Sequence, residues 1–181
     1  MNNDRKMPGK ERRHYIMDLL KNSTEPITGQ ILAQKTGVSR QVIVTDIALL
    51  RTSDEPIIAT SRGYVYQQKF PNKKLYRKVI VCKHTPEQAR DELETIVDNG
   101  VTVVNVIVEH PFYGDLTGSL MIDSRYEVDR FVDTFSKHEA TLLSVLTDGV
   151  HLHTLEADAM EKIDAACRAL NEKGILVTEN K

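Results

Sequence analysis

The chain has 181 residues, of which 40% are apolar and 28% are charged. This length corresponds to one large domain or two small ones, and this composition excludes collagen-like, disordered and membrane-spanning proteins. Residues 1–74 carry 13 lysines and arginines against 7 acidic residues, a net charge of +6, whereas residues 75–181 carry 11 against 19, a net charge of −8. This asymmetry indicates that the first half meets a polyanion and that the second half has a different task.

Targeting and membrane signals are not expected in this sequence. The first fifteen residues are polar and charged, and the longest apolar run, 101–108, is far shorter than the roughly 20 residues of a membrane span. Cys82 and Cys167 do not make a disulfide framework. We therefore expect a cytoplasmic protein that does not associate with a membrane.

The basic half predicts three helices followed by a β-hairpin. Apolar residues recur at helical spacing, as Ile43, Ile47 and Leu50 do in the third helix. Two short apolar runs around residues 61–63 indicate the hairpin. The predicted helices cover 10–22, 29–35 and 40–52, and the hairpin strands cover 57–60 and 64–66.

The connection between the second and third helices has the chemistry of a tight turn. Gly37 lies where a left-handed residue is needed, and Ser39 is the predicted N-cap of the third helix. Thr28 is the predicted N-cap of the second helix, whose residues 31–33 are expected to face inward. Helix, turn, helix and hairpin together predict a winged helix-turn-helix DNA-binding domain over residues 1–70.

The third helix is the predicted recognition helix. Because its apolar face packs inward, Arg40 would face guanine, Gln41 adenine, and Val44 or Thr45 a thymine methyl group in the major groove. Arg62, at the hairpin tip, would reach a phosphate or the minor groove. The predicted DNA contacts are Ser39, Arg40, Gln41, Val44, Thr45 and Arg62, with phosphate attraction from Arg5, Lys6, Arg12, Arg13 and Lys35.

The alternative interpretation of this half is a three-helix packing module whose basic residues only form a solvated face. The agreement of turn, caps, core spacing and hairpin with the net charge of +6 favours DNA binding. None of these features predicts the target sequence.

The acidic half, residues 71–181, predicts one α+β domain after a linker at 70–74. Asn99-Gly100 and Lys173-Gly174 each end a helix directly before a β-branched run. The order β-α-β-β-α-β is that of a split-βαβ sheet of the ferredoxin-like type. The predicted strands are 75–83, 101–109, 115–122, 142–146, 150–155 and 175–178, and the predicted helices are 86–98, 125–138 and 157–173.

Histidines are concentrated in the acidic half. His151 and His153 alternate on a predicted strand, so both rings project from one face. His84 ends the first strand of this half, and Glu92 follows it by about two helical turns. Three imidazoles and a carboxylate would make a mixed N/O site that suits Zn, Ni, Co, Mn or Fe. The alternatives are a strand pair without a ligand, a capping role for His84 and a surface charge at Glu92. Cys82 alternates with His84 and could be a ligand, but we expect it to be a small buried strand residue.

A sharp turn is predicted at the end of the next strand. His110-Pro111 is followed by Phe112, Tyr113 and Gly114, and this arrangement would aim an imidazole and a phenol at one place. We predict that His110 and Tyr113 bind an effector. The alternative is turn chemistry alone, since proline and glycine punctuate loops generally.

Taken together, these motifs resemble the niacin-responsive repressors of NAD biosynthesis, which join a biotin-repressor-like winged helix to a "three-histidine" domain. The resemblance covers about residues 10–178. The motifs that carry it are Val38-Ser39-Arg40-Gln41, Cys82-Lys83-His84 with Glu92, residues 109–116 and residues 149–154.

The resemblance implies a homodimeric repressor of NAD biosynthesis or niacin transport genes, with nicotinic acid as co-repressor. It also implies a divalent transition metal, such as nickel or zinc, held by His84, Glu92, His151 and His153. One position departs from many related winged helices, because Thr45 stands where a second basic residue is common. That departure puts base recognition by this position in doubt.

Two other functions are compatible with the sequence. One is a repressor that responds to the metal ion alone. The other is a small metal-dependent enzyme fused to a winged helix, with His110 as general base. The enzyme is disfavoured because no nucleophile–base–orienter set, phosphate loop or dinucleotide fingerprint is present in the sequence.

Overall fold

A computed structural model describes residues 7–67, 75–138 and 142–178, and the side chains of 135–138 are not described. The chain divides into two compact units, Met1–Pro71 and Asn72–Lys181. The linker predicted at 70–74 lies outside the described residues. Among the described helices, none is long and apolar enough to cross a membrane.

The first unit is a winged helix-turn-helix, as the sequence predicts. Its elements are α1 (Gly9–Lys21), α2 (Gly29–Thr36), α3 (Arg40–Arg51) and the antiparallel hairpin strands β1 (Ile57–Thr60) and β2 (Gly63–Tyr66). Thr28 Oγ1 accepts a hydrogen bond from the Ile31 amide, and Ser39 Oγ accepts one from the Val42 amide. Gly37 has φ +65°, so the left-handed residue lies where the turn needs it.

The core of the first unit joins all three helices. Ile16 of α1, Leu32 of α2 and Ile43 of α3 are completely buried, and Ile47 is nearly so. The inward orientation predicted for residues 31–33 is wrong at Ile31, which is 41% exposed. A short helix presents only a narrow stripe to the core, and Leu32 and Ala33 already fill it.

The second unit is an α+β domain built on one four-stranded sheet. The strand order is β3-β6-β4-β5, and every neighbouring pair is antiparallel. Because β6, the last of the four strands, lies between β3 and β4, the β3–α4–β4 unit is split. In a ferredoxin-like sheet the third strand, here β5, would lie between them, so the split is confirmed but the strand order differs from the ferredoxin-like one. The elements are β3 (Tyr76–Lys83), α4 (Ala89–Asp98), β4 (Thr102–His110), β5 (Gly114–Ile122), α5 (Arg125–His138), β6 (Val150–Ala157) and α6 (Met160–Glu172).

Two predicted strands of this unit are wrong. Residues Leu143–Thr147 form a 3-10 turn and not a strand, and Asp148 closes it with φ +49°. Strand β6 already pairs with β3 and β4 on its two edges, so the preceding residues have no edge left to pair with. The strand predicted at 175–178 is reduced to a single bridge between Cys82 and Leu176.

Candidate metal centre and nucleic-acid interface

Three histidines surround the carboxylate of Glu92 in the second unit. His84 Nε2 lies 2.7 Å from Glu92 Oε2, and the Nε2 atoms of His151 and His153 each lie 3.3 Å from the same oxygen. The side chains of all four residues are at most 3% exposed. The structure therefore brings together the four residues that the sequence predicts as metal ligands.

The fold positions each of these side chains from a different point of the sheet and helix. His84 directly follows β3, and Glu92 lies in the first turn of α4. His151 and His153 alternate on β6, where they lie opposite Cys82 and Ile80 of β3. The cluster therefore forms only when α4 packs on the sheet and β6 inserts beside β3.

The other ring nitrogens define the proton positions. The Nδ1 atoms of His84, His151 and His153 lie 2.7, 2.9 and 2.7 Å from the backbone carbonyls of Thr85, Gly149 and Asn105. A carbonyl only accepts hydrogen bonds, so each Nδ1 carries the proton. In a neutral ring, the Nε2 lone pair then points at the Glu92 carboxylate, which also only accepts. Three lone pairs facing a carboxylate require a cation or extra protons between them.

The pKa shifts have the directions that this arrangement demands. Burial alone would raise the pKa of Glu92, but the charge of His153 and the hydrogen bonds from the three rings lower it well below its ordinary value. Burial alone would lower the pKa of His84 and His153, but the charge and hydrogen bonds of Glu92 raise both. Without a metal ion, protonated imidazoles therefore supply the positive charge beside the Glu92 carboxylate.

The donor set fits a divalent transition metal. Imidazole nitrogen and carboxylate oxygen suit Zn, Ni, Co, Mn and Fe, and each ligating ring already donates its Nδ1 proton to a fixed carbonyl. That second hydrogen bond is the usual way in which a metal-binding histidine is oriented. Metal binding would require that the extra protons leave the Nε2 atoms.

Cys82 lies at the edge of this cluster. Its Sγ, a carboxylate oxygen of Glu92 and a ring nitrogen of His151 all lie within 4.8 Å of one another. Cys82 is completely buried, as predicted. Burial and the charge of Glu92 raise the pKa of this thiol. In the sequence, the alternation of Cys82 with His84 indicates that the thiol lies near the histidines.

Two cavities adjoin the cluster. The first is small, with a volume of about 40 Å³, and lies between the histidines, α4, the sheet and the 3-10 turn. The second is a larger cleft of about 540 Å³ that also borders His84 and Ser144 and is lined by Lys83, Thr85, Asp148 and Gly149 among others. Gly149 is tightly placed in that cleft, because a Cβ there would lie 2.3 Å from the His84 carbonyl oxygen.

His110 and Tyr113 lie together at the β4–β5 turn. Their ring centroids are 4.8 Å apart, and the Phe112 amide donates a hydrogen bond to His110 Nδ1. Tyr113 is 76% exposed. Neither residue lines the small cavity or the cleft beside the histidines, so their role in effector binding stays a prediction.

The predicted recognition helix presents one continuous exposed face in the first unit. Arg40, Gln41, Val44 and Thr45 are all exposed, with Ser39 at the N-terminus as the cap. The Thr45 hydroxyl donates a hydrogen bond to the Gln41 carbonyl of the preceding turn. The side chains predicted to contact bases therefore share one surface.

A basic notch adjoins this face. Arg40 and Arg62 line a depression of about 250 Å³ together with the N-terminus of α2 and the hairpin. Gly63 lets the hairpin pack closely there, since a Cβ at this residue would lie 2.6 Å from the Ile27 carbonyl oxygen. Two guanidinium groups and a helix N-terminus are features that attract a phosphate.

Two of the arginines predicted to attract DNA phosphate, Arg12 and Arg13, instead pair with a carboxylate of the recognition helix. Arg12 is buried, and its Nε lies 2.6 Å from Asp46 Oδ2 in the middle of α3. Arg13 reaches the other oxygen of Asp46 at 3.3 Å. Arg12 therefore fastens α1 to the recognition helix and is not a free cation for DNA. Lys35 is exposed, while Arg5 and Lys6 lie outside the described residues.

A helix-turn-helix with a hairpin wing, joined to an α+β unit with a buried cluster of three histidines and a glutamate, defines a two-unit DNA-binding protein. The sequence matches the model of the HTH domain over residues 12–65 and that of the 3H domain over residues 77–179. The chain belongs to the family of helix-turn-helix proteins that carry a 3H domain.

Two relatives match nearly the whole chain. The transcription repressor NadR of Bacillus subtilis (strain 168) is 48% identical over 180 residues, which cover 99% of this chain and 100% of that protein. The probable transcription repressor NiaR of Thermotoga maritima is 42% identical over 169 residues, which cover 93% and 95% of the two chains. An uncharacterised protein of Methanothermus fervidus is 30% identical over 108 residues, 56% of this chain and 17% of that protein.

Proposed function

We propose that the chain is a homodimeric transcription repressor of NAD biosynthesis or niacin transport genes, with nicotinic acid as co-repressor and a divalent transition metal as cofactor. The observation that carries this proposal is the combination of a recognition helix and a buried His₃Glu cluster in one chain. Full-length similarity to a transcription repressor supports the regulatory role and disfavours an enzyme.

The first unit would bind operator DNA through α3. Arg40 and Gln41 lie exposed at the start of this helix, where residues of a helix-turn-helix meet base edges. Guanine offers two acceptors to Arg40, and adenine offers a donor and an acceptor to Gln41. Arg62 in the wing would add a phosphate or minor-groove contact.

A homodimer would present two recognition helices to one operator. Helix-turn-helix dimers read half-sites about 34–36 Å apart, one turn of DNA, on a pseudo-palindrome. A single unit of this size makes few base contacts, so pairing supplies both affinity and specificity. We therefore expect a pseudo-palindromic operator.

The second unit would decide when DNA is bound. His84, Glu92, His151 and His153 would hold the metal ion, which supplies a Lewis-acidic centre for a carboxylate or pyridine donor. Nicotinic acid offers both kinds of donor on one planar ring. The effector helps repression only if it favours the DNA-competent state, and such coupling is typically about 1–3 kcal/mol.

The decisive experiment measures binding of the full chain to a promoter fragment from an NAD-biosynthesis gene. Metal-loaded protein is titrated with nicotinate, with and without a chelator, and affinity should rise with nicotinate only when metal is present. The variant His151→Ala/His153→Ala should lose both metal uptake and the nicotinate response. Unchanged metal content in this variant would reject the assignment of the ligands.

The second candidate is a repressor for which the metal ion itself is the signal. The small size of the cavity beside the histidines favours it, because a volume of about 40 Å³ admits water but not a pyridine ring. If metal alone gives the full increase in DNA affinity and nicotinate adds nothing, this second function is the correct one.

A further inference from the structure

The small cavity beside the histidine cluster has one polar wall and otherwise mainly apolar walls. One wall consists of the imidazoles and the carboxylate of Glu92, and the others are apolar surfaces from α4, the sheet, Phe131 of α5 and Leu143. Among the described lining residues, Ser144 carries the only aliphatic hydroxyl. The cavity thus combines a cation-binding wall, apolar faces and a single neutral hydrogen-bonding group.

We propose that this cavity is the ring-binding part of the effector site. Ser144 would donate a hydrogen bond to the nitrogen of a pyridine ring whose carboxylate faces the three histidines. This inference rests on the proposed function, because it takes a pyridine carboxylate as the effector. The inference adds the position of the ring and names the residue that distinguishes a pyridine carboxylate from other aromatic acids.

The chemistry of such a ring matches the cavity at each side. The faces of the ring are apolar and would pack on Phe131 and Leu143, while the carboxylate needs a cation. The ring nitrogen only accepts hydrogen bonds, and burying it without a donor is costly. The hydroxyl of Ser144, a residue only 5% exposed, is the neutral donor available at that wall.

The cavity must widen to admit a ring. A cavity of roughly 150 Å³ accommodates benzene, whereas this one measures about 40 Å³. The wall least supported by regular structure is the 3-10 turn Leu143–Thr147, since the others belong to helices and the sheet. Val145 and Leu146 of this turn are 45% and 54% exposed, so the turn is held inward mainly through Leu143 and Ser144.

The turn is also tied to a metal ligand. Gly149 directly follows its Asp148 cap, and the His84 amide donates a hydrogen bond to the Gly149 carbonyl at 3.4 Å. The Gly149 amide in turn donates to the Ser144 carbonyl at 2.8 Å. A ring that displaces the turn would therefore act on the segment that connects the cavity with His84.

The test compares nicotinate with benzoate, which has the same shape and carboxylate but lacks the ring nitrogen. Calorimetry on the metal-loaded full chain should give a preference for nicotinate of about tenfold, since benzoate leaves the Ser144 hydroxyl unpaired. Ser144→Ala should remove this preference, and Ser144→Thr, which keeps the hydroxyl, should restore it. Val145→Ala, on the exposed side of the same turn, is the matched control and should keep it.

A second variant fills the cavity without replacing a histidine. Ala89→Leu should weaken the binding of both acids at least tenfold while the metal content, measured separately, stays at the wild-type value. If nicotinate still binds normally to Ala89→Leu, or if Ser144→Ala keeps the preference, the ring does not lie in this cavity. Failure of the proposed function gives a different result, because the wild-type protein itself would then bind no nicotinate.

Discussion

Each unit of this protein contains a buried carboxylate that lies among cationic partners. The two clusters differ in whether those partners can lose their protons. Asp46 in the first unit meets the guanidinium groups of Arg12 and Arg13, which stay charged at any physiological pH. Glu92 in the second unit meets three imidazoles, which can be neutral or protonated. The first cluster can only hold two helices together, whereas we propose that the second exchanges protons for a metal ion.

The largest expected effect tests this difference directly. Glu92→Gln removes the negative charge but keeps the side-chain shape, and metal content should fall from about one ion per chain to near zero. Asp46→Asn is the matched change in the other cluster and should leave metal content unchanged. Elemental analysis after dialysis measures both. Full metal uptake by Glu92→Gln would mean that the carboxylate is not a ligand.

The second-largest effect concerns the stability of the first unit, which depends on the cluster around Asp46. Asp46→Asn leaves Arg12 buried without its counter-charge, so the first unit should lose about 3–5 kcal/mol of its free energy of unfolding. Hydrogen exchange resolved by segment would show faster exchange in α1 and α3 and no change in the second unit. Replacing Arg12 and Asp46 together by Met and Leu should recover most of the loss, because no charge then remains unpaired.

The third effect is the pH dependence of the metal-free protein. The pKa of His84 and of His153 is raised above the ordinary 6.5, so their contribution to stability is complete below pH 6.5 and is lost as pH rises through the folded values. The pKa of Glu92 is lowered from 4.5, so its contribution is present above pH 4.5 and is lost as pH falls. His151 and the Cys82 thiol face the same carboxylate.

The second unit without metal should therefore be most stable between about pH 4.5 and 6.5 and less stable at pH 8. Metal affinity should change in the opposite direction, because the ion competes with protons for the Nε2 atoms. Hydrogen exchange at pH 6 and pH 8, with rates corrected for the intrinsic pH effect, measures the first trend. A metal-free second unit that is more stable at pH 8 would contradict the assigned protonation.

The smallest effect concerns single contacts of the first unit with DNA. Arg62→Ala should weaken operator binding about equally on specific and nonspecific DNA and reduce the salt slope by about 1 per chain, if it contacts one phosphate. Arg40→Ala should instead relax the preference for guanine at one position, at a cost of about 1–3 kcal/mol. Competition binding at several salt concentrations separates the two. Metal content of both variants should equal that of the wild type.

Much of the candidate site was predictable because its signals are local. The alternation of His151 and His153 and the distance from His84 to Glu92 are properties of a strand and of a strand–helix junction. The caps Thr28 and Ser39 and the turn at Gly37 are likewise properties of a few adjacent residues. What failed depended on partners far away in the chain, as at Arg12, whose burial follows from Asp46, 34 residues later.

The sequence by itself determined the two-unit organisation, the helix-turn-helix and the identity of the four candidate ligands, since charge, helical periodicity, capping residues and strand alternation are all written in short segments. Only the tertiary structure decided that the Nε2 atoms of three rings converge on one oxygen of Glu92, that residues 143–147 form a turn over an apolar cavity, and that Arg12 is buried. These outcomes depend on which strand lies between β3 and β4 and on how helices pack, and such long-range pairing leaves no periodic pattern in the chain.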